Sequence, residues 1–500
     1  MDWQEPIWPE GGGQGADRDS KRIRFLAAAL ALMAVIYVLP TPPPLERGGK
    51  LIELTGPGKA CIAVLAFAVV LWITEALPFA VTSLFVVLMI PLLGIADYRT
   101  VVRLGFGDPI ITFFIGVLIL SAAFGRSGLG ARLVYHILLK VGDRTDRVVL
   151  GFLFVGAMLS MWITAMAAAA MLLPLATSIL RDAGVKPLKS NFGRALMISC
   201  AWGPLFGGIA TPAGAGPNPI AVSYLNRLAH IDISFVAWMS IGLPATLMMI
   251  PLGWLLLLRM FPPEMERLPV KATEIRKKLR DLGPLRQAEI KTLVIFLITV
   301  LLWLTGPAVK AMTRGAVTLP IQGVALFSGM ALFLPGVSVL SWKEAEHDVD
   351  WGGILLIIAG LSLGMMVYET GAARWLAWIL IGRIGSVHFV LRPLMIVAVV
   401  ALLHLVFSSN TVTGTIIIPI LIALAQDLGL DVWLISAPAV FTSSLAFILV
   451  TETPTNVIPY TSGYFSIRDM AKAGIFMTVI AALCVWVSIL GIGTLTGAYR

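Results

Sequence analysis

Apolar runs recur along nearly the whole chain, and that property excludes most folds at once. The hydrocarbon core of a bilayer takes roughly 20 apolar helical residues to cross. Candidate spans lie at 25–39, 60–72, 83–93, 148–163, 235–258, 292–304, 321–334, 391–407, 432–450 and 474–490. Apolar stretches at 109–124, 166–180, 352–367 and 412–425 are too brief or too interrupted to cross alone, and are expected as re-entrant hairpins or half-helices. With 58% hydrophobic and 13% charged residues, no soluble fold of 500 residues fits. The expected class is an all-α polytopic membrane protein of about 11 transmembrane helices plus two re-entrant hairpins.

The net charge of +9 does not mark a nucleic-acid binder. Eight Lys or Arg fall between Arg267 and Lys291, and Lys21, Arg22 and Arg24 directly precede the first span. Both clusters follow the positive-inside rule, which places the N-terminus and the 262–291 loop in the cytoplasm. Residues 1–24 are expected to form a disordered cytoplasmic tail. Cys61, Cys200 and Cys484 are isolated, and the five His residues form no His-x-x-x-His pair. No metal or redox pattern exists, no cofactor is implied, and no Walker A sequence supports ATP-driven pumping.

Two segments resemble copies of one another, one of them eroded. Ser409-Asn410-Thr411 lies ten residues before Pro419, and Thr164-Ala165-Met166 lies ten residues before Pro174. Each leads to a second break, Thr211-Pro212 followed by Asn218 and Thr453-Pro454 followed by Asn456. The stretch 207–219 holds four Gly, three Pro and an Asn, so it cannot be one helix. Broken helices at membrane depth occur only around protein-lined cavities. Gly128-Leu129-Gly130-Ala131-Arg132-Leu133 also echoes Gly371-Ala372-Ala373-Arg374-Trp375-Leu376.

These matches divide the chain. After the tail come N-terminal scaffold helices at 25–106 and a first repeat at 107–261. The basic loop at 262–291 and linking scaffold helices at 292–350 precede a second repeat at 351–500. An odd number of crossings between equivalent elements would make the halves inverted.

A broken helix exposes N–H groups at one end, which attract anions, and carbonyls at the other, which coordinate small cations. Ser409, Asn410 and Thr411 add hydroxyl and amide groups that serve either ligand. The competing reading of such a triplet is interhelical hydrogen bonding. The paired proline spacing and paired breaks favour a binding site.

The chain resembles the divalent anion:sodium symporter family of dicarboxylate, citrate and sulfate transporters. The matching stretches are Trp72-Ile73-Thr74-Glu75-Ala76-Leu77-Pro78, Leu159-Ser160-Met161-Trp162-Ile163, Gly208-Ile209-Ala210-Thr211-Pro212 with Pro217-Asn218, Ser409-Asn410-Thr411, Ser444-Leu445-Ala446-Phe447, and Thr453-Pro454 with Asn456. The resemblance implies an inverted-repeat secondary transporter, a homodimer with elevator-type movement, in which Ser-Asn-Thr triplets at two hairpin tips bind substrate carboxylates beside sodium sites. It nominates Ser160, Thr164 and Gly208 around a first Na⁺, and Ser409 and Asn410 around a second. Asn410, Thr411 and Thr453 become substrate contacts, joined as candidates by Thr164, Thr211, Asn218 and Asn456.

The departures bear on coupling. Ala165 and Met166 stand where the family has Asn and Thr, and neither can coordinate Na⁺ or bond a carboxylate. Leu405 stands where the first half has Ser160. Glu452, directly before Thr453, would repel a dianion if ionised. It is therefore a coupling candidate that carries a proton, a partner of an unidentified base, a sign of a different substrate, or a carboxylate facing a water-filled vestibule. Glu75 reads as structural, Glu369 as exposed, and His404 as a satisfied intramembrane histidine.

The sequence thus predicts a secondary active transporter of small anions, di- or tricarboxylates by resemblance, in a bacterial-type inner membrane and coupled to Na⁺. Sodium-independent exchange and H⁺ coupling are the alternatives within that class. The membrane subunit of a multi-component uptake system is the alternative outside it. No nucleophile, base and orienting group can be assembled into an enzyme.

Overall fold

The computed structural model describes residues 14–47, 50–268, 279–407 and 409–496. It is helical nearly throughout, with one small antiparallel hairpin of β1 (Leu45–Arg47) and β2 (Lys50–Ile52). After α1 (Gln14–Val38), the α-helices among the described residues fall into two sets with matching order. The first is α2 (Gly56–Thr74), α3 (Phe79–Leu92), α4 (Tyr98–Gly105), α5 (Pro109–Ser127), α6 (Leu129–Val141), α7 (Thr145–Ser160), α8 (Ala165–Asp182), α9 (Asn191–Gly208), α10 (Pro217–Ala229) and α11 (Phe235–Met260). The second is α12 (Gln287–Met312), α13 (Ile321–Ala331), α14 (Trp342–Asp348), α15 (Trp351–Glu369), α16 (Ala372–Ile381), α17 (Arg392–His404), α18 (Asn410–Leu428), α19 (Val432–Thr442), α20 (Pro454–Tyr460) and α21 (Ile467–Thr496).

Local chemistry makes the sets correspond. Helices α5 and α15 both have 19 residues, and an aspartate starts each. Asp108 accepts from the Ile110 N–H at 2.9 Å and Asp350 from the Gly353 N–H at 2.9 Å, each satisfying one orphan donor of a first turn. Both helices turn through a glycine with positive φ, Gly128 and Gly371, into α6 and α16. The arginines of those helices are both paired, Arg132 with Glu289 at 2.8 Å and Arg374 with Asp427 at 2.9 Å.

The sets interlock rather than lie side by side. Helix α13 of the second set packs on α5 of the first, and α3 of the first packs on α15 of the second. Helix α10 packs on α18, and α20 on α8. The buried core is therefore shared by both halves.

Three sequence expectations change. The repeat reaches further back than 107 and 351, because α2–α4 and α12–α14, read as scaffold and linkers, lead their sets in the same order. Only apolarity marks those helices, and apolarity carries no register. The four stretches judged too brief are helices of 18 or 19 residues, long and apolar enough to cross. Capping side chains and polar last turns extend them past their apolar cores. Conversely, the apolar runs 391–407 and 432–450 form helices of only 13 and 11 residues that end in breaks. Among the described residues, eight helices have the length and composition to cross, and five apolar helices are shorter. Finally, residues 14–24 of the expected disordered tail are helical, while residues 1–13 lie outside the described residues.

Candidate functional site

The two triplets start equivalent helices. Thr164 caps α8, its hydroxyl accepting from the Ala167 N–H at 3.3 Å. Ser409 caps α18, accepting from the Val412 N–H at 3.5 Å. Asn410 donates from Nδ2 to the Ser444 carbonyl at 3.2 Å, while its buried Oδ1 has no partner. The eroded copy offers no equivalent amide: Ala165 is a methyl, and Met166 is an exposed apolar side chain.

The second breaks are built by one device used twice. Between α9 and α10, Asn218 donates to the Gly208 and Thr211 carbonyls at 2.7 and 2.8 Å. Between α19 and α20, Asn456 donates to the Ala446 and Leu449 carbonyls at 2.9 and 3.1 Å. The carbonyls lie ten and seven residues back in both cases. A buried carbonyl freed by a helix break costs stability unless it finds a donor, and these amides supply it.

That register corrects the sequence pairing of the Thr-Pro segments. Aligned on the asparagines, Thr211 falls opposite Leu449, and Glu452 opposite Gly214. Thr211 is fully buried; its hydroxyl donates to the Met161 carbonyl and accepts from the Ala213 N–H at 3.2 Å. Thr453 instead caps α20, accepting from the Thr455 N–H at 3.4 Å. Gly214 has no room for a side chain, since a Cβ would lie 2.6 Å from the Gly208 carbonyl oxygen and 2.7 Å from that of Ser160.

Oxygen atoms gather there. Ser160 ends α7, and its hydroxyl is buried without a partner beside Gly208 and the Gly214 carbonyl. Ser160 and Gly208 are thus brought together. Thr164 is occupied in capping α8. In the second half, Ser409 and the unpartnered Asn410 Oδ1 stand together, with Leu405 contributing nothing polar.

Ser444 joins the halves, a role that sequence reading did not assign. Its carbonyl accepts from Asn410, and its hydroxyl donates to Asn218 Oδ1 at 3.2 Å. Thr411 seats against the first-half break, where a Cβ on Gly216 would come within 2.3 Å of its Oγ1. The only advance signal for Ser444 was its place in a family-like stretch. Asn218, Asn456 and Thr211 are fully buried and committed to holding the breaks.

The family model described as the sodium:sulfate symporter transmembrane region matches residues 20–495. The chain belongs to this family. It is 30% identical over 451 residues to the sodium-dependent dicarboxylate transporter SdcS of Staphylococcus saprophyticus, covering 87% of this chain and 86% of that one. The SdcS protein of Staphylococcus aureus strain NCTC 8325 is 30% identical over 452 residues, covering 87% and 85%. The Alcanivorax borkumensis YdaH transporter shares the fold at TM-score 0.56 and 14% identity, over 96% of this chain and 98% of that one. Neisseria gonorrhoeae MtrF does so at TM-score 0.54 and 14% identity, over 97% and 96%. This member of the symporter family is a multi-pass membrane transporter of anions and not an enzyme.

Proposed function

We propose that the chain carries small di- or tricarboxylates by sodium-coupled symport through the interlocked breaks. The observation that carries this reading is that two of the buried oxygens without partners, Ser160 Oγ and Asn410 Oδ1, stand at corresponding helix breaks of the two halves. Na⁺ takes hydroxyl, amide and carbonyl oxygens, so Ser160 with Gly208, and Ser409 with Asn410, would hold the cations. A cation so placed supplies positive charge beside the first N–H groups of α8 and α18. Substrate carboxylates would meet those N–H groups, the Asn410 amide, and the hydroxyls of Thr411, Thr453 and Thr164. Thr211, Asn218 and Asn456 would shape the walls rather than touch substrate. The dicarboxylate assignment draws on the SdcS relatives, which are named for that substrate.

Ala165, Met166 and Leu405 favour a second reading, sodium-independent exchange, because they remove side-chain ligands from both cation positions. Elevator movement, homodimerisation, inner-membrane location and a cytoplasmic N-terminus belong to the same proposal.

Uptake of labelled succinate by the purified chain in proteoliposomes separates these readings. Symport predicts accumulation driven by an inward Na⁺ gradient and lost when choline replaces Na⁺. Uptake that ignores Na⁺ but rises with succinate trapped inside would identify an exchanger. No uptake of succinate, citrate or sulfate by the chain alone would overturn both and favour a multi-component system.

A further inference from the structure

The turn between α7 and α8 carries Trp162, two residues after Ser160 and two before Thr164. Its indole stacks on the Phe235 ring, with centroids 6.3 Å apart at 12°, and meets the Phe296 ring edge-on at 5.3 Å and 85°. Phe235 opens α11, and Phe296 lies on α12 of the second set. Seven residues further along α12, and so on the same face, Trp303 also stacks on Phe235, at 4.7 Å and 16°. Trp303 is held by its Nε1, which donates to the Ile321 carbonyl at 3.1 Å, and Phe296 by an edge-on contact with Phe124 of α5 at 5.1 Å.

The first-half break holds the backbone of the same turn. The Met161 carbonyl accepts from the Thr211 hydroxyl, and a Cβ on Gly214 would stand 2.7 Å from the Ser160 carbonyl oxygen. The second half does not repeat this arrangement. With Ser409 matched to Thr164, Phe407 stands opposite Trp162 and borders a cavity of about 410 Å³. Leu449, opposite Thr211, borders the same cavity and has no hydroxyl to hold the Val406 carbonyl. The anchored turn thus belongs to the half whose triplet, with Ala165 and Met166, lacks side-chain ligands. A position with few ligands depends on how firmly those are held, because a group already fixed in its binding geometry loses little freedom when the ion arrives.

We propose that Trp162 is a positioning residue for the first sodium position, acting through the turn that carries Ser160. Helix α12 of the second half, through Phe296 and Trp303, thereby steadies a site in the first. The inference rests on the sodium reading given above. A ring stack that served packing alone would stabilise the chain equally with and without Na⁺, whereas one that holds Ser160 in place sets the Na⁺ affinity.

Binding is measured on the purified full-length chain without any transport. Thermal unfolding midpoints across a sodium chloride series, with choline chloride keeping the ionic strength constant, give the Na⁺ concentration for half-maximal stabilisation. Trp162→Ala is expected to raise that concentration about tenfold through loss of two ring contacts, and Phe296→Leu about threefold through loss of one. Trp162→Phe keeps a ring in the stack and should stay within about threefold of the native chain. A lower midpoint in choline with an unmoved Na⁺ dependence in Trp162→Ala, or in Phe296→Leu where Trp162→Ala does not fold, overturns this inference alone. A Trp162→Phe shift as large as that of Trp162→Ala does the same. A native midpoint that ignores Na⁺ overturns the sodium reading and this inference with it. Failed succinate uptake with a Trp162-dependent Na⁺ response intact would overturn the transport reading and leave this one standing.

Discussion

Asn218 and Asn456 occupy the same station in the two halves, each with one amide tying down the carbonyls ten and seven residues before it. They differ in what the other end of the amide does. Asn218 Oδ1 accepts from Ser444 of the opposite half, whereas Asn456 Oδ1 has no partner. One asparagine thus holds a break and joins the repeats, and the other only holds a break.

Replacing either by Ala strands two buried carbonyls, at about 1–3 kcal/mol for each unsatisfied group. Asn218→Ala should lower the thermal unfolding midpoint further than Asn456→Ala, because the Ser444 hydroxyl also loses its acceptor. Equal shifts for the two variants would remove the distinction between them.

Gly216 is where the first-half break lets Thr411 approach. Gly216→Ala drives a Cβ into Thr411 Oγ1 and should cost about 1–3 kcal/mol in overpacking, with loss of succinate uptake. In a Thr411→Ala background the same change should cost much less stability. A double-mutant cycle on unfolding measures the coupling, and additive effects would contradict the contact.

Much of this architecture is legible in the residues. Interrupted apolar runs, the proline spacing and the Asn-bearing breaks all point to a two-fold membrane transporter, because each breaks a helix for a reason that local chemistry supplies. The reach of the repeat is not legible. Helices α2–α4 and α12–α14 pair across halves by packing on α15 and α5, and long-range packing leaves no local signature in uniformly apolar sequence. The Thr-Pro pairing misled for a related reason. The two Thr-Pro dipeptides stand out in the sequence, while the structure aligns on the asparagine whose side chain holds the break. Glu452 adjoins Thr453 in sequence, and the fold adds what the sequence does not show, a cavity that it lines with His404 and Phe407.

If the eroded triplet weakens a sodium position, restoring it should strengthen one. Ala165→Asn with Met166→Thr adds an amide and a hydroxyl at the start of α8, five and six residues after Ser160. One well-placed ligand oxygen worth about 1.4 kcal/mol would lower the half-saturating Na⁺ concentration for succinate uptake about tenfold. An unchanged Na⁺ dependence in a folded, active variant would show that position 165 does not face the cation.

The pair between Arg132 and Glu289 ties the first set to the second away from the candidate site. Arg132 donates from Nε and Nη2 to the two carboxylate oxygens at 2.8 and 3.1 Å, and from Nη1 to the Gly283 carbonyl at 3.0 Å. Glu289 is 2% exposed, so Arg132→Ala leaves a buried charge without its partner, a loss of about 3–5 kcal/mol. Glu289→Gln in the same chain should recover part of it by removing the stranded charge, although the Arg286 N–H that donates to Glu289 Oε2 at 2.7 Å would keep only a weaker acceptor. Unfolding midpoints of the single and double variants test this. A double variant less stable than Arg132→Ala would mean that the carboxylate is held by groups other than the arginine.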